Sequence, residues 1–265
     1  MRFRYISKSG GTEHLLMRKI SRGTFMMGSP ENEVGRDNDI EGYFSCELSF
    51  DFFMGLYPVS RKEYYALSGK SIPSDFHTSF GALSSKILDH PVTGVTWYDA
   101  MKFCDNLNER YSNQLPEGYA FSLPTEAMWE YSCRAGTSSR YFCGDSNQCL
   151  DDVAWHKNNS FGSIHPVGEK KRNLYGLYDV HGNVAEWCVD GFDDYPIKPQ
   201  KDWCGISNDS LHMIRGGGYH TEPKYGGLRS AARCELSSKD RFDFLGFRLA
   251  IMPNEFLNCS SNGSS

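Results

Sequence analysis

The residue types best suited to chemistry are concentrated in residues 174–190, which read LYGLYDVHGNVAEWCVD. A Gly182-Asn183 pair separates two apolar runs there and predicts a tight turn, because both residues tolerate positive φ. Glu186 follows, directly before Trp187. A carboxylate beside a tryptophan is partly removed from water, so it needs a cation, a hydrogen-bond donor or a bound metal. This stretch is therefore the first candidate for a functional site.

Cysteine is the other reactive residue type, and the nine cysteines stand at positions 46, 104, 133, 143, 149, 188, 204, 234 and 259. No C-x2-C pair occurs among them, which excludes a zinc ribbon and a thioredoxin-type motif. We interpret them mainly as buried free thiols. Cys143 and Cys149 are the best candidates for a disulfide if the compartment is oxidising.

The composition of the 265 residues favours one soluble globular domain that is expected to be monomeric. A net charge of -5 argues against a nucleic-acid partner, which would require clustered Lys and Arg. No run approaches the roughly 18 apolar residues of a membrane span. Since residues 1–11 lack the apolar core of a secretory signal, the sequence as given predicts a cytoplasmic protein, or a surface or periplasmic one if a leader has been removed.

The elements that must position these residues are short. Strands are predicted at residues 14–20, 23–29, 47–57 and 121–123, and near the end at 213–219, 228–233 and 245–251. Capping boxes at Ser60/Glu63 and Thr96/Asp99 open two helices. A further helix spans residues 125–135 and ends at Gly136.

Two segments look irregular. Residues 30–41 are acidic and poor in apolar residues, which indicates a surface loop, with a cation site as the alternative. Residues 258–265 are polar and predict a disordered tail.

Seven motifs together resemble the sulfatase-modifying-factor domain of the formylglycine-generating enzyme and its relatives. They are FMMGS (25–29), FMGLYPVS (53–60), HPVTGVTWYDAMKFC (90–104), FSLPTEAMWEYSCRAGT (121–137), YGLYDVHGNVAEWC (175–188), RGGGY (215–219) and LGFRLA (245–250). The resemblance implies an α+β, C-type-lectin-like fold that is rich in loops, with small antiparallel sheets and two main helices. It also implies a domain over residues 15–252, preceded by an N-terminal extension (1–14) and followed by a disordered tail (253–265).

The resemblance gives the opening stretch a structural role. Around a matching motif the family binds a structural Ca²⁺. Carried over position by position, the ligands here would be the carboxylates of Asp179 and Glu186 and the carbonyls of Gly182 and Val184. Hard oxygen donors suit calcium. The alternative is that Glu186 is held by hydrogen bonds from backbone amides in the turn.

The family enzyme oxidises a substrate cysteine to formylglycine with two copper-binding cysteines, because paired soft thiolates select Cu(I). The corresponding positions in this sequence are Thr221 and Gly226. Neither residue can act as a thiolate ligand, so we expect no copper and no oxidase chemistry. The alternative is a copper- and oxygen-dependent formylglycine-generating oxidase that uses displaced thiols such as Cys234.

The remaining interpretation is a binding module that takes a protein or other ligand at its C-terminal face. Residues 234–244 form a polar and aromatic loop between rigid elements, where recognition residues are often found. This segment is similar to the variable region of proteins diversified by retroelements. The candidate ligand-binding residues are His220, Thr221, Tyr225, Leu236, Ser237, Asp240, Phe242, Asp243 and Phe244. The alternative is a solvated loop whose Phe242 and Phe244 pack inward.

Overall fold

The computed structural model describes residues 1–73, 85–205 and 210–257. The strands are β1 (Arg2–Ile6), β2 (Thr12–Ile20), β3 (Gly23–Gly28), β4 (Tyr43–Leu48), β5 (Phe52–Gly55), β6 (Tyr119–Ser122), β7 (Ala185–Gly191), β8 (Gln200–Lys201), β9 (Leu211–Arg215), β10 (Cys234–Ser237), β11 (Leu245–Phe247) and β12 (Ala250–Pro253). The helices are α1 (Arg61–Leu67), α2 (Ser85–Leu88), α3 (Trp97–Tyr111), α4 (Glu126–Arg134) and α5 (Asn147–Val153).

Three small sheets organise the strands. The five-stranded sheet has the order β1-β2-β5-β12-β6, the four-stranded sheet β10-β9-β7-β11 and the three-stranded sheet β3-β4-β8. Most neighbouring strands are antiparallel, while β11 runs parallel to β7 and β8 parallel to β4. The mixed α+β, loop-rich architecture with few helices is therefore confirmed, with α3 and α4 as the two main helices.

The helix starts follow from local sequence, as predicted. Ser60 and Glu63 form a reciprocal capping box at α1, and Thr96 and Asp99 form one at α3. Each box satisfies backbone N–H groups that the first helical turn leaves without a partner, and such a cap contributes about 1 kcal/mol. Among the described residues, no helix has the length and apolarity needed to cross a membrane.

The N-terminal residues belong to the core rather than to an extension. β1 pairs with β2, and Phe3 and Tyr5 are 1% and 3% exposed. Phe3 packs against Phe121 with ring centroids 5.0 Å apart. The predicted boundary at residue 15 therefore falls inside β2. At the other end, the predicted tail at 253–265 begins within the ordered fold, because β12 includes Pro253 and Phe256 stacks on Phe50 with ring centroids 4.4 Å apart. Residues 258–265 lie outside the described residues.

The predicted strand at residues 228–233 is wrong. This segment forms turns, and the strand that pairs with β9 is β10, which begins at Cys234. The turns direct the guanidinium groups of Arg229 and Arg233 into the protein, where both meet carboxylates. A regular strand would place residues 229 and 233 on the same face of the sheet, whereas here the two guanidinium groups reach different partners, Glu33 in the segment 30–41 and Glu126 on α4.

Charged residues are buried beneath this segment, around α4. Glu126 accepts two hydrogen bonds from Arg233, at 2.7 and 2.9 Å. Glu130 accepts hydrogen bonds from Arg134 at 2.8 Å and from Arg215. The mutual neutralisation of these groups is what makes their complete burial tolerable.

Asp190 is a buried acid beside this network and makes stability pH-dependent. Its two oxygens accept backbone N–H bonds from Glu126 (2.7 Å) and Gly205 (2.9 Å). Burial, followed by the charge of Glu126, raises the pKa of Asp190 to about 7 from 3.8.

Because the pKa of Asp190 is higher in the folded state than in the unfolded state, protonation of Asp190 stabilises the fold. This stabilisation is complete below pH 3.8 and is lost as the pH rises through about 7. We expect the free energy of unfolding to lose up to about 1.4 kcal/mol per pH unit from Asp190 in that window. In urea unfolding measured across this pH window, Asp190→Asn should make the free energy of unfolding depend less steeply on pH. An unchanged slope in that variant would show that Asp190 is ionised throughout.

Cysteine chemistry follows the sequence prediction. Cys143 and Cys149 form a disulfide with an S–S distance of 2.01 Å. Of the free cysteines in the described part of the chain, Cys46, Cys104, Cys133 and Cys188 are buried, and Cys234 is exposed. Burial raises the pKa of the Cys46 and Cys133 thiols to about 12, so neither is a thiolate at neutral pH. Cys234 is therefore the free thiol to consider at a functional surface.

Candidate functional site

A cavity of about 270 Å³ opens at the end of β9, where the chain turns through three glycines. Its lining residues come from four separate segments, centred on β7, β9 with the glycines, residues 227–236 and the start of β11. They are Ala185, Ile214, Arg215, Gly216, Gly217, Gly218, His220, Thr221, Gly227, Ala232, Arg233, Cys234, Leu236 and Phe244. The rigid sheet thus supplies the floor, and the C-terminal loops supply the walls.

The glycines permit the close backbone approach that shapes the cavity. Gly217 has φ 67°, and a Cβ on it would lie 2.8 Å from the carbonyl oxygen of Gly227. A Cβ on Gly218 would lie 3.0 Å from Cβ of Phe244. A side chain at either position would force these two walls apart, so the triplet is a packing requirement.

Aromatic rings form one wall. His220 lies 4.3 Å from Phe244 between ring centroids, and Phe244 stacks on Phe242 at 5.0 Å. The hydroxyl of Tyr219 donates to a carboxylate oxygen of Asp243 at 3.0 Å, which connects the segment after β9 to the loop before β11. Sequence reasoning did not identify Tyr219, although the aromatic pair Tyr219-His220 directly after the glycines was a usable signal.

The structure brings four of the predicted ligand-binding residues together in the cavity wall: His220, Thr221, Leu236 and Phe244. Three others do not line the cavity and are exposed to solvent. Tyr225 is 73% exposed, Phe242 is 39% exposed, and Asp243 is exposed and bonded to Tyr219.

Ser237 and Asp240 have a local role instead. The N–H of Ser237 donates to the Asp240 carboxylate at 3.1 Å, which closes the turn after β10. The alternative in which both loop phenylalanines pack inward holds for Phe244, which is partly buried against the core, and not for Phe242.

The two positions that the resemblance assigns to redox cysteines are occupied by residues with other contacts. The Thr221 hydroxyl accepts the Gly218 N–H at 3.0 Å. Gly226 has φ 79°, and a Cβ there would lie 2.7 Å from the Gly35 carbonyl oxygen. Cys234 is the cysteine in the cavity wall, and desolvation raises the pKa of its thiol. A raised pKa disfavours the thiolate that metal binding requires.

Glu186, the carboxylate that opened the sequence analysis, is completely buried and has protein partners on both oxygens. Arg248 donates to them from Nε (3.0 Å) and Nη2 (2.7 Å), and the indole N–H of Trp129 donates at 2.7 Å. The structure therefore resembles the hydrogen-bonded alternative, with side-chain donors in place of backbone amides.

Asp179 is a buried carboxylate with one oxygen that accepts no hydrogen bond from the described residues. Its Oδ2 accepts the Gly168 N–H at 2.7 Å, while the buried Oδ1 has no partner among the described residues. Burial raises the pKa of Asp179 to about 6. Asp179 thus fits a calcium ion, whereas Glu186 fits only by sharing its carboxylate with Arg248. Within the described ranges, no cluster of three or more His, Cys, Asp or Glu side chains forms a metal cage.

A comparison with models of protein families identifies the family to which this chain belongs. The model of the sulfatase-modifying factor enzyme 1-like domain matches residues 7–253. This chain is a member of that sulfatase-modifying factor family.

Proteins that are similar to this chain carry different names. Treponema denticola variable protein 1 is a solved structure with 28% identity and a TM-score of 0.78, and the match covers 96% of this chain and 99% of that one. Chaperone protein LppX of Paenibacillus barcinonensis is 28% identical over 74% of this chain and 76% of its own length. Formylglycine-generating enzyme of Streptomyces coelicolor is 32% identical over 61% of this chain, and the match spans 52% of that enzyme.

Proposed function

We propose that this domain is a non-catalytic ligand-binding module whose C-terminal face binds a protein or other ligand. The observation that carries the proposal is the cavity wall of His220, Thr221, Leu236 and Phe244 at the place where the family enzyme needs thiols. Aromatic anchors beside short polar residues are typical of adaptable binding surfaces. The likeness to a solved variable protein supports this interpretation.

The absence of catalysis is tested by measuring turnover. The protein is incubated with Cu(I) and a cysteine-containing sulfatase peptide while oxygen uptake is recorded, with the Streptomyces coelicolor formylglycine-generating enzyme as the positive control. We expect no oxygen uptake above the protein-free blank, because one thiol in the cavity wall cannot supply a pair of thiolates. Formylglycine in the peptide, detected by mass spectrometry, would refute the proposal.

The second candidate function is a formylglycine-generating oxidase with displaced cysteines. Its supporting observation is that the Cys234 thiol lines the same cavity. If turnover occurs by this route, Cys234→Ser abolishes it. Activity retained in that variant would remove Cys234 from the mechanism.

We further propose that the segment 213–250 is a retroelement-diversified variable region. Most cavity residues of this segment come from loops and from the edge strand β10, where substitution disturbs the core least, while Ile214 and Arg215 belong to the interior strand β9. Neighbouring DNA that encodes a reverse transcriptase and a near-copy of this segment is the expected finding. A neighbouring sulfatase gene without such a copy would favour the oxidase.

We propose that a structural calcium ion binds at Asp179, with the carbonyls of Gly182 and Val184 and a shared Glu186 as the other ligands. Such an ion would neutralise the buried carboxylate and fasten the turn; it would take no part in chemistry. We expect chelation to lower the melting temperature and Asp179→Asn to abolish this sensitivity, whereas the exposed control Asp105→Asn should keep it. Identical melting curves with and without chelator would contradict the site.

We propose that the protein is located at the cell surface or in the periplasm. The Cys143–Cys149 disulfide supports a location at the cell surface or in the periplasm, because disulfides rarely persist in a reducing cytoplasm.

A further inference from the structure

We infer that the cavity receives a single aromatic or large aliphatic side chain presented by a protein partner. The inference rests on the proposed binding function and specifies the chemistry of the ligand. Three features carry it: the size of the cavity, the neutrality of its walls and the exposed rings near its mouth.

The size fits one side chain. Small-molecule pockets usually occupy roughly 300–1,000 Å³. This cavity measures about 270 Å³ and lies among glycine backbone, Leu236 and Phe244. A space of this size accommodates one ring system or branched side chain and leaves the remainder of a ligand outside. Protein partners bind in this way, with one anchor residue in a desolvated pocket and a surrounding contact area.

The walls offer no free charge to an anionic ligand. The two arginines that reach the cavity are already neutralised, since Arg215 pairs with Glu130 and Arg233 with Glu126. Arg215 also donates to the carbonyls of Ser230 and Ala231, at 2.9 and 3.0 Å. A phosphate or carboxylate would have to break these buried pairs, which is costly. Most of the remaining surface is apolar, with neutral polar groups from His220 and Thr221, so a neutral and mainly apolar group is favoured.

Exposed rings border the cavity and favour a protein over a small apolar molecule. Phe242 and Tyr225 lie on the loops that frame it and are 39% and 73% exposed. Tyr, Trp and Phe are enriched in protein interfaces because they bury a large area at low entropic cost. An apolar metabolite held inside the cavity would leave these rings in water.

A neighbouring loop adds a third exposed ring. Phe161 is 92% exposed and has φ 55°, an unfavourable backbone conformation for this residue type. Its loop is attached to the segment after the glycines. The Lys157 N–H donates to the Thr221 carbonyl at 3.1 Å, and the Ser160 hydroxyl donates to the Tyr219 carbonyl at 2.9 Å. The loop that carries Phe161 thus adjoins the segment that lines the cavity.

The test uses a random peptide library displayed on phage and selected against the full chain, with the fold of every variant confirmed by circular dichroism. The selected peptides should share one aromatic or large aliphatic residue, and replacing that residue by alanine should weaken binding by about 30-fold or more. Leu236→Trp, which fills the cavity, should weaken binding equally. The matched control Lys239→Trp puts the same ring on the exposed turn and should leave affinity within about 3-fold, since surrounding contacts are near-neutral.

A second measurement does not depend on the library. The protein is titrated with p-cresol, which is the side chain of tyrosine as a free molecule. In the unsubstituted protein the amide NMR signals of Gly217, Gly218 and Thr221 should shift saturably in the millimolar range, and in Leu236→Trp they should not shift. Absence of saturable shifts overturns the inference.

The inference and the proposed function can fail separately. If peptide binding is lost in Phe242→Asp and unchanged in Leu236→Trp, the face binds ligands without using the cavity. That result overturns the inference and leaves the binding function in place. Oxidase turnover with a cysteine peptide would instead remove the binding function itself.

Discussion

Replacing Arg248 by methionine is expected to lower the free energy of unfolding by about 3–5 kcal/mol, because Glu186 would then be a buried charge without its partner. Both side chains are essentially inaccessible to solvent. Arg248 also donates to the carbonyls of Gly55 (2.9 Å) and Tyr178 (2.7 Å). A single guanidinium therefore connects β5, β7 and the loop between α5 and β7.

Urea unfolding at neutral pH measures the effect, and two further variants identify its cause. Arg248→Met combined with Glu186→Gln removes the unpaired charge and keeps an acceptor for Trp129, so it should recover part of the loss. Arg241→Met removes an exposed arginine that pairs with Asp99 at 3.1 Å and should cost less than about 1 kcal/mol. Equal losses in Arg248→Met and Arg241→Met would contradict the role given to burial.

This ion pair shows which parts of the structure local sequence can predict. The helix starts were predictable because Ser60 and Glu63, or Thr96 and Asp99, are three residues apart and act within one turn. Glu186 and Arg248 are 62 residues apart, so no local pattern relates them. Sequence indicated only that the carboxylate needed a partner and left open whether this was a protein donor or a metal.

The N-terminal boundary and the cavity illustrate the same limit. β1 has only five residues, which is too short for a clear hydrophobic pattern. Phe3 and Tyr5 can be recognised as core residues only when β2 and the residues around Phe121 are placed against them. Four of the proposed ligand-binding residues were found because the resemblance located the segment after the glycines. Ile214 and Ala185 were not found, since a cavity floor depends on how separate strands meet.

The acidic segment 30–41 differs most clearly from the surface loop that its composition predicts. Glu31 and Asp39 are exposed as a surface loop requires, yet the side chains of Glu33 and Glu41 are 5% and 1% exposed and both bind Arg229. Arg229 donates to Glu33 at 2.6 Å and to Glu41 Oε2 at 2.9 Å. The pairs join residues 196 and 188 positions apart, which composition cannot reveal.

Arg229→Met is accordingly expected to lower the free energy of unfolding by about 3–5 kcal/mol, because two buried carboxylates lose their cation. The matched control Lys224→Met lies five residues before Arg229, breaks an exposed pair with Glu222 and should leave the free energy of unfolding almost unchanged. Urea unfolding at neutral pH compares the two. A loss below about 1 kcal/mol for Arg229→Met would mean that the segment 30–41 is solvated as its composition suggested.

The same ion pairs limit substitution at position 226, where the resemblance places the second redox cysteine. A Cβ on Gly226 would lie 2.9 Å from Nε of Arg229 and 2.7 Å from the Gly35 carbonyl oxygen. Gly226→Cys would therefore displace Arg229 from Glu33 and Glu41, and it would also place a non-glycine residue at φ 79°. We expect this variant to lose stability comparable to that lost by Arg229→Met. A thiol can occupy position 226 only if the segment 30–41 moves away, so the ion pairs of Arg229 and a redox pair that includes position 226 exclude each other.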